Sequence, residues 1–229
     1  MKALKFGLLI ALVGLFTVSC DDDDDYSLGK FIISMGTIEG DQDSYIIVTD
    51  SGDRLFPSAS NVPNYPVEDD MRVWVNYTIL GDATDNETLD YYVKINDLSD
   101  VLTKDIFQLT DATRDSIGND PVSISDYWIA RDYLNIGFYY GGGPGYIHYI
   151  NLVNDENDPE TEDGMLILEL KHNKNNDPYN YRINNWASFD LLSIQEEGKD
   201  EVTFLLRSIG PSGEYEFEKE VTYKYGLDL

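Results

Sequence analysis

The chain has 229 residues, and 43 acidic side chains against 16 basic ones give it a net charge of −27. A surface this acidic excludes polyanions, nucleic acid first among them, and anionic lipid faces as partners. Seventeen tyrosines and a single cysteine predict a strand-rich fold that holds together without an internal disulfide.

Residues 1–19 read as a signal peptide. Lys2 and Lys5 precede an apolar stretch from Phe6 to Val18, shorter than the ~20 residues that span a bilayer. Thr17-Val18-Ser19 then leads into Cys20, a layout that resembles the bacterial lipoprotein pattern, in which the cysteine is acylated and becomes the first residue after cleavage. Thr17 stands where a leucine is usual. Removal of the signal leaves 210 residues, with 14 basic and 43 acidic side chains and a net charge of −29. Asp21, Asp22, Asp23, Asp24 and Asp25 follow at once; five adjacent carboxylates repel one another and bury nothing, so 20–29 is expected to be an acidic tether. Such a run after a lipidated cysteine resembles the surface-export signal of Bacteroidetes lipoproteins. That implies an outer-membrane anchor through Cys20, with the folded part facing outward.

Period-two alternation governs the next seventy residues. Strands are expected near 30–38, 44–49, 53–56, 71–80 and 90–97, separated by "EGDQD", "DSGD", "FPSASNVPNYPVED" and "GDATDNE". In "MRVWVNYTIL", Met71, Val73, Val75, Tyr77 and Ile79 share one face, while Arg72, Trp74, Asn76 and Thr78 share the other. Five short strands in so little chain suit a small closed barrel, placing an OB-like domain over 30–103. Residues 104–120 are expected to be a linker with one short helix, capped by Thr110 and stopped at Gly118. About seven strands follow, near 122–129, 133–140, 146–153, 165–172, 186–193, 202–209 and 214–225, which suits an immunoglobulin-like β-sandwich over 121–229. The fold class is therefore all-β.

Chemistry is hard to find in this pattern. The two histidines, His148 and His172, lie in different predicted strands without metal-ligand spacing, and read as packed or strand-end residues. There is no nucleophile elbow, and the only cysteine is used for lipidation. "YYGGGPGYIHY" lacks the Lys-Ser/Thr ending of a phosphate loop and is expected to connect a hairpin. "NDENDPETEDG" is rich in oxygen ligands, yet Pro159 falls where a calcium loop needs one. The expectation is no catalytic residue, no metal and no cofactor. Residues 21–103 hold only Lys30, Arg54, Arg72 and Lys94 as bases, too few for a nucleic-acid groove. A glycan escapes that objection: Trp74, on the polar side of its strand, and Tyr139, Tyr140 and Tyr146 beside the glycine loop are the candidate contact aromatics. Asp115-Ser116-Ile117 resembles a short Bacteroidetes O-glycosylation motif, with Ser116 as acceptor.

"YSLGKFIISMGTI", "LFPSASNVPNYPV", "RVWVNYTILGD", "YYVKINDLSDVLTKDI", "DSIGNDPVSISDYW", "YIHYINLV", "LELKHN" and "VTYKY" together resemble the NigD-like family of Bacteroidetes lipoproteins over nearly the whole mature chain. The resemblance implies an N-terminal OB-like domain and a C-terminal β-sandwich, and supplies no catalytic residue. The family name comes from a protein encoded beside a bacteriocin and suggested to give immunity. The expectation is a monomeric, surface-anchored, non-catalytic module that binds a protein or a glycan. Its alternatives are an immunity protein and a polysaccharide-metabolism enzyme or accessory protein using two carboxylates.

Overall fold

The structure, a computed structural model, describes residues 27–226; the expected signal peptide, the lipidation of Cys20 and the export signal Asp21 to Asp25 fall outside the described residues. Strands β1 (Ile32–Asp41), β2 (Ser44–Thr49), β3 (Arg54–Ser60), β4 (Arg72–Asp82) and β5 (Tyr91–Asp100) close into a barrel in the order β1-β2-β3-β5-β4. Its seams are antiparallel except for β3 against β5, and closure leaves no free strand edge. Val73, Val75 and Tyr77 point inward from β4 to meet Ile38, Ile47, Leu55, Val93 and Ile95, as the alternation predicts.

The other face of β4 is not the watery one that alternation predicts. Arg72 is 2% exposed and among the largest fully buried side chains, because the second domain packs there. That domain pairs a five-stranded sheet, β14-β13-β11-β10-β7, with a four-stranded sheet, β6-β12-β9-β8. The strands are β6 (Leu102–Asp105), β7 (Phe107–Leu109), β8 (Val122–Ala130), β9 (Tyr133–Gly142), β10 (Tyr149–Asp155), β11 (Leu166–Asn173), β12 (Tyr181–Asp190), β13 (Glu201–Ile209) and β14 (Tyr215–Lys224). Phe138, Leu152, Leu168, Phe189, Phe204 and Tyr223 meet between the sheets in one apolar core.

Several local features differ from expectation. Within 104–120, read as a linker, β6 pairs with β12 and β7 with β10, so the chain crosses from one sheet to the other at Ile106, which packs on the core. Both segments are too short to show a period. Helix α1 (Arg114–Ile117) is a single turn with Thr113, not Thr110, at its N-cap; it ends at Gly118, whose φ is 77°. Gly141–Gly145 does not close a hairpin: it carries the chain from β9 in one sheet to β10 in the other. Finally, β12 begins at Tyr181, earlier than expected, since "YRINN" has no apolar face yet pairs with Phe138–Gly142 of β9.

A buried polar lock joins the two domains. Arg72 forks onto Asp50, Nη1 to Oδ1 at 2.6 Å and Nη2 to Oδ2 at 2.9 Å. Its remaining donors reach Thr37 Oγ1 at 3.0 Å, Asn135 Oδ1 at 2.7 Å and Ser188 Oγ at 3.4 Å. All five guanidinium N–H groups thus have acceptors. Asp50 Oδ2 also accepts from Trp128 Nε1 at 2.7 Å, and Trp186 lies between Trp74 and Trp128 with ring centroids 5.7 and 5.1 Å away. The Trp186 ring covers Gly137, where a Cβ would come within 2.6 Å of it. Gly137→Ala is therefore expected to cost about 1–3 kcal/mol through overpacking, read as a melting temperature lower by roughly 2–12 °C.

Candidate functional site

At one end of the sandwich, four segments converge: the end of β9 (Tyr139, Tyr140), the glycine loop, the stretch after β11 (Lys174 to Asn180) and the start of β12 (Tyr181, Arg182). They surround a cleft of about 450 Å³ lined among others by Tyr139, Tyr140, His172, Lys174, Tyr179 and Arg182.

The chain's two histidines hold this end together. His148 Nδ1 lies 2.8 Å from His172 Nε2, and His148 Nε2 lies 3.0 Å from Asp177 Oδ2. His172 Nδ1 donates to the Pro121 carbonyl at 3.1 Å. Burial pushes the His172 pKa down, against the pull of the Pro121 bond, so its Nε2 is an acceptor. His148 thus bridges the two, with Nδ1 on His172 and Nε2 on the Asp177 carboxylate. Burial pushes the Asp177 carboxyl up, but the Tyr179 and Gly143 amides and His148 outweigh it and hold the pKa below the ordinary value. Tyr140 stacks against both imidazoles, with centroids 4.7 and 4.5 Å away; burial raises its pKa.

The glycines of the loop are where this packing needs them. A Cβ on Gly142 would sit 2.7 Å from the His148 ring, and one on Gly143 would sit 2.4 Å from Tyr179. Bare backbone lets the two residues lie flat on the loop. Above this base the surface is aromatic. Tyr146, Tyr179 and Tyr181 are 43, 46 and 65% exposed; Tyr179 meets Tyr146 edge-on at 5.8 Å and stacks with Tyr181 at 5.9 Å. Arg182 lies over the Tyr139 ring at 3.7 Å.

Three of the four aromatics singled out from sequence, Tyr139, Tyr140 and Tyr146, are thus brought to one place. Trp74 is not among them: it is half-buried against Trp186 at the interdomain contact. Ser116 is exposed on α1, with its hydroxyl donating to the Thr113 carbonyl at 2.7 Å. In the acidic loop, Asp155 is gripped by Arg114 at 2.5 and 2.7 Å and Asp158 accepts from Arg207 at 2.7 Å, so these carboxylates face guanidinium groups rather than one another.

Residues 35–101 match the NigD-like N-terminal OB domain and residues 105–219 match the NigD-like C-terminal beta sandwich domain. The chain belongs to the NigD-like family. Solved structures agree. A "toxin related protein" of Parabacteroides distasonis is 32% identical, with 86% of this chain and 95% of that one covered and a TM-score of 0.72. A protein of unknown function from Bacteroides vulgatus is 29% identical, covering 86% and 92%, with a TM-score of 0.70. A NigD-like immunity protein of Bacteroides caccae shares the fold at 20% identity, covering 87% and 98%, with a TM-score of 0.65. No curated protein matches.

In this NigD-like chain, sequence reasoning misses the His148–His172–Asp177 relay, because its members lie in separate segments, and it misses Tyr179, Tyr181 and Arg182. The signal for the last three was present: "PYNYR" alternates aromatic and polar residues outside any apolar run, the mark of aromatics placed on a surface rather than in a core.

Proposed function

We propose that this NigD-like protein is a non-catalytic binding module, lipid-anchored through Cys20 in the outer membrane and facing outward, whose ligand is a glycan seated on the tyrosine-lined cleft. The carrying observation is the exposed Tyr146–Tyr179–Tyr181 cluster beside the cleft, which Tyr179 joins to it: flat rings suit the apolar faces of sugar rings, while their hydroxyls suit its edges. Two observations support the non-catalytic part. Asp120 is the only carboxylate among the residues lining this cleft, and carboxylate-dependent glycoside hydrolysis needs two. In a wider depression on the sandwich, two of the three lining carboxylates, Glu196 and Glu201, are ion-paired with Lys199 and Lys224, the third being Glu160.

The test is a glycan array probed with the purified chain without its signal peptide, followed by a reducing-sugar assay on whatever binds. Binding without cleavage is expected. Cleavage of a bound glycan contradicts the non-catalytic reading, and capture of a protein with no glycan bound contradicts the choice of ligand. Protease shaving of intact cells should remove the domain if it faces outward. The immunity reading predicts instead that deletion sensitises the cells to a neighbour's bacteriocin.

A further inference from the structure

We infer that the cleft recognises a carboxylated sugar, a hexuronic or nonulosonic acid unit, with Arg182 and Lys174 holding its carboxylate; this rests on the glycan reading above and names its ligand class. In a chain of net charge −27, arginines find carboxylates easily, and five of the six do so within 4.0 Å. Arg182 is the exception. Its Nε donates to Asn184 Oδ1 at 3.1 Å, and among the described residues no carboxylate pairs with its Nη nitrogens. The guanidinium is nonetheless held in place over the Tyr139 ring at 3.7 Å, so its fork is positioned before any ligand arrives.

Lys174 lines the same cleft, and its ammonium also pairs with no carboxylate among the described residues. Its backbone N–H is tied to Asp120 Oδ2 at 2.9 Å, which fixes where the side chain starts. The cleft thus has two unpaired cations against one carboxylate, Asp120, within an acidic surface. At physiological salt, charges beyond about 8 Å are largely screened, so an anion inside the cleft responds to these cations more than to the distant aspartates. A forked contact from Arg182 to a sugar carboxylate, with the pyranose ring on the adjoining tyrosines, uses both features together. A neutral sugar offers the guanidinium only hydroxyl and ring oxygens, without the charge-assisted fork that a carboxylate gives.

The test is calorimetric titration of the chain without its signal peptide with trigalacturonate and 3′-sialyllactose, beside methyl-esterified trigalacturonate and lactose as neutral counterparts. The acidic member of each pair that binds is expected to do so roughly ten- to a hundredfold more tightly. Arg182→Gln, with Lys174→Gln as a second variant, should bring that ratio close to one while leaving the melting temperature unchanged. Equal binding of acid and neutral forms, or a preference that survives both substitutions, overturns the inference. If Tyr181→Ala weakens that equal binding, the tyrosine reading stands without the carboxylate. Binding of no member of the panel, while the array binds other glycans, overturns the carboxylate inference and leaves the glycan reading; no glycan bound on either overturns both.

Discussion

Arg72→Ala is expected to lower the free energy of unfolding by about 3–5 kcal/mol, the range found when one partner of a buried ion pair is removed. The substitution leaves Asp50, whose side chain is 12% exposed, with only Trp128 Nε1 and Asn135 Nδ2 as donors, at 2.7 and 3.3 Å. It also takes the guanidinium donor from Thr37, Asn135 and Ser188, leaving Asn135 and Ser188 bonded to each other at 2.6 Å. For a chain of this size the loss corresponds to a melting temperature lower by roughly 6–20 °C. Arg72→Met combined with Asp50→Leu removes both charges and should recover much of the loss, because the desolvation cost of the pair is removed with it. The double-mutant cycle reads the coupling directly. If Arg72→Ala melts like the wild type, the lock does not join the domains as its geometry implies.

Asp177→Ala is the second substitution expected to have a large effect, on the order of 10 °C in melting temperature. It removes the carboxylate that His148 Nε2 faces and leaves the Gly143 and Tyr179 amides without the acceptor they share. The loop and Tyr179 would lose their common anchor, so glycan binding should fall with stability. The relay also fixes the sign of a pH effect. His172 is held below the ordinary value of 6.5 by burial, so the unfolded chain takes up its proton first as pH falls. Stability from this group is complete above about pH 6.5 and is lost as pH falls toward the folded value, with a slope of at most about 1.4 kcal/mol per pH unit. Asp177, held below 3.8, adds stability that is present above that value and lost below it. Since many carboxylates titrate at lower pH, the readout is the difference between wild type and His172→Gln in urea unfolding from pH 8 to 5. Curves that stay parallel across that range would remove the relay from the stability of the fold.

Legibility in the sequence followed the length and regularity of each element. Val73, Val75 and Tyr77 repeat cleanly, and the barrel strand they mark is where alternation places it, because one face meets an apolar core. Arg72 and Trp74 sit on the polar face of that same strand, yet one is buried and the other half-buried. Alternation reports one side of a strand at a time and is silent about a second domain covering the other. Phe107–Leu109 is three residues long, below the length at which a period exists, so its place in the sandwich comes from pairing alone. The cleft was half legible: Tyr139, Tyr140 and Tyr146 stood out beside the glycines. The relay beneath them joins His148 to a partner 24 residues away, a contact that only the folded chain creates.

Ligand seated on the tyrosine-lined end of the sandwich is tested by the affinity of Tyr181→Ala for the tightest-binding glycan of the array, measured by calorimetry beside Tyr92→Ala on the barrel. Tyr181 is 65% exposed and stacks only on Tyr179, so its loss should leave the fold intact. Affinity about five- to tenfold weaker is expected for Tyr181→Ala, the size of one lost ring contact, and no change for Tyr92→Ala. Wild-type affinity in Tyr181→Ala together with lost affinity in Tyr92→Ala would move the binding face to the barrel and contradict a seat on the sandwich.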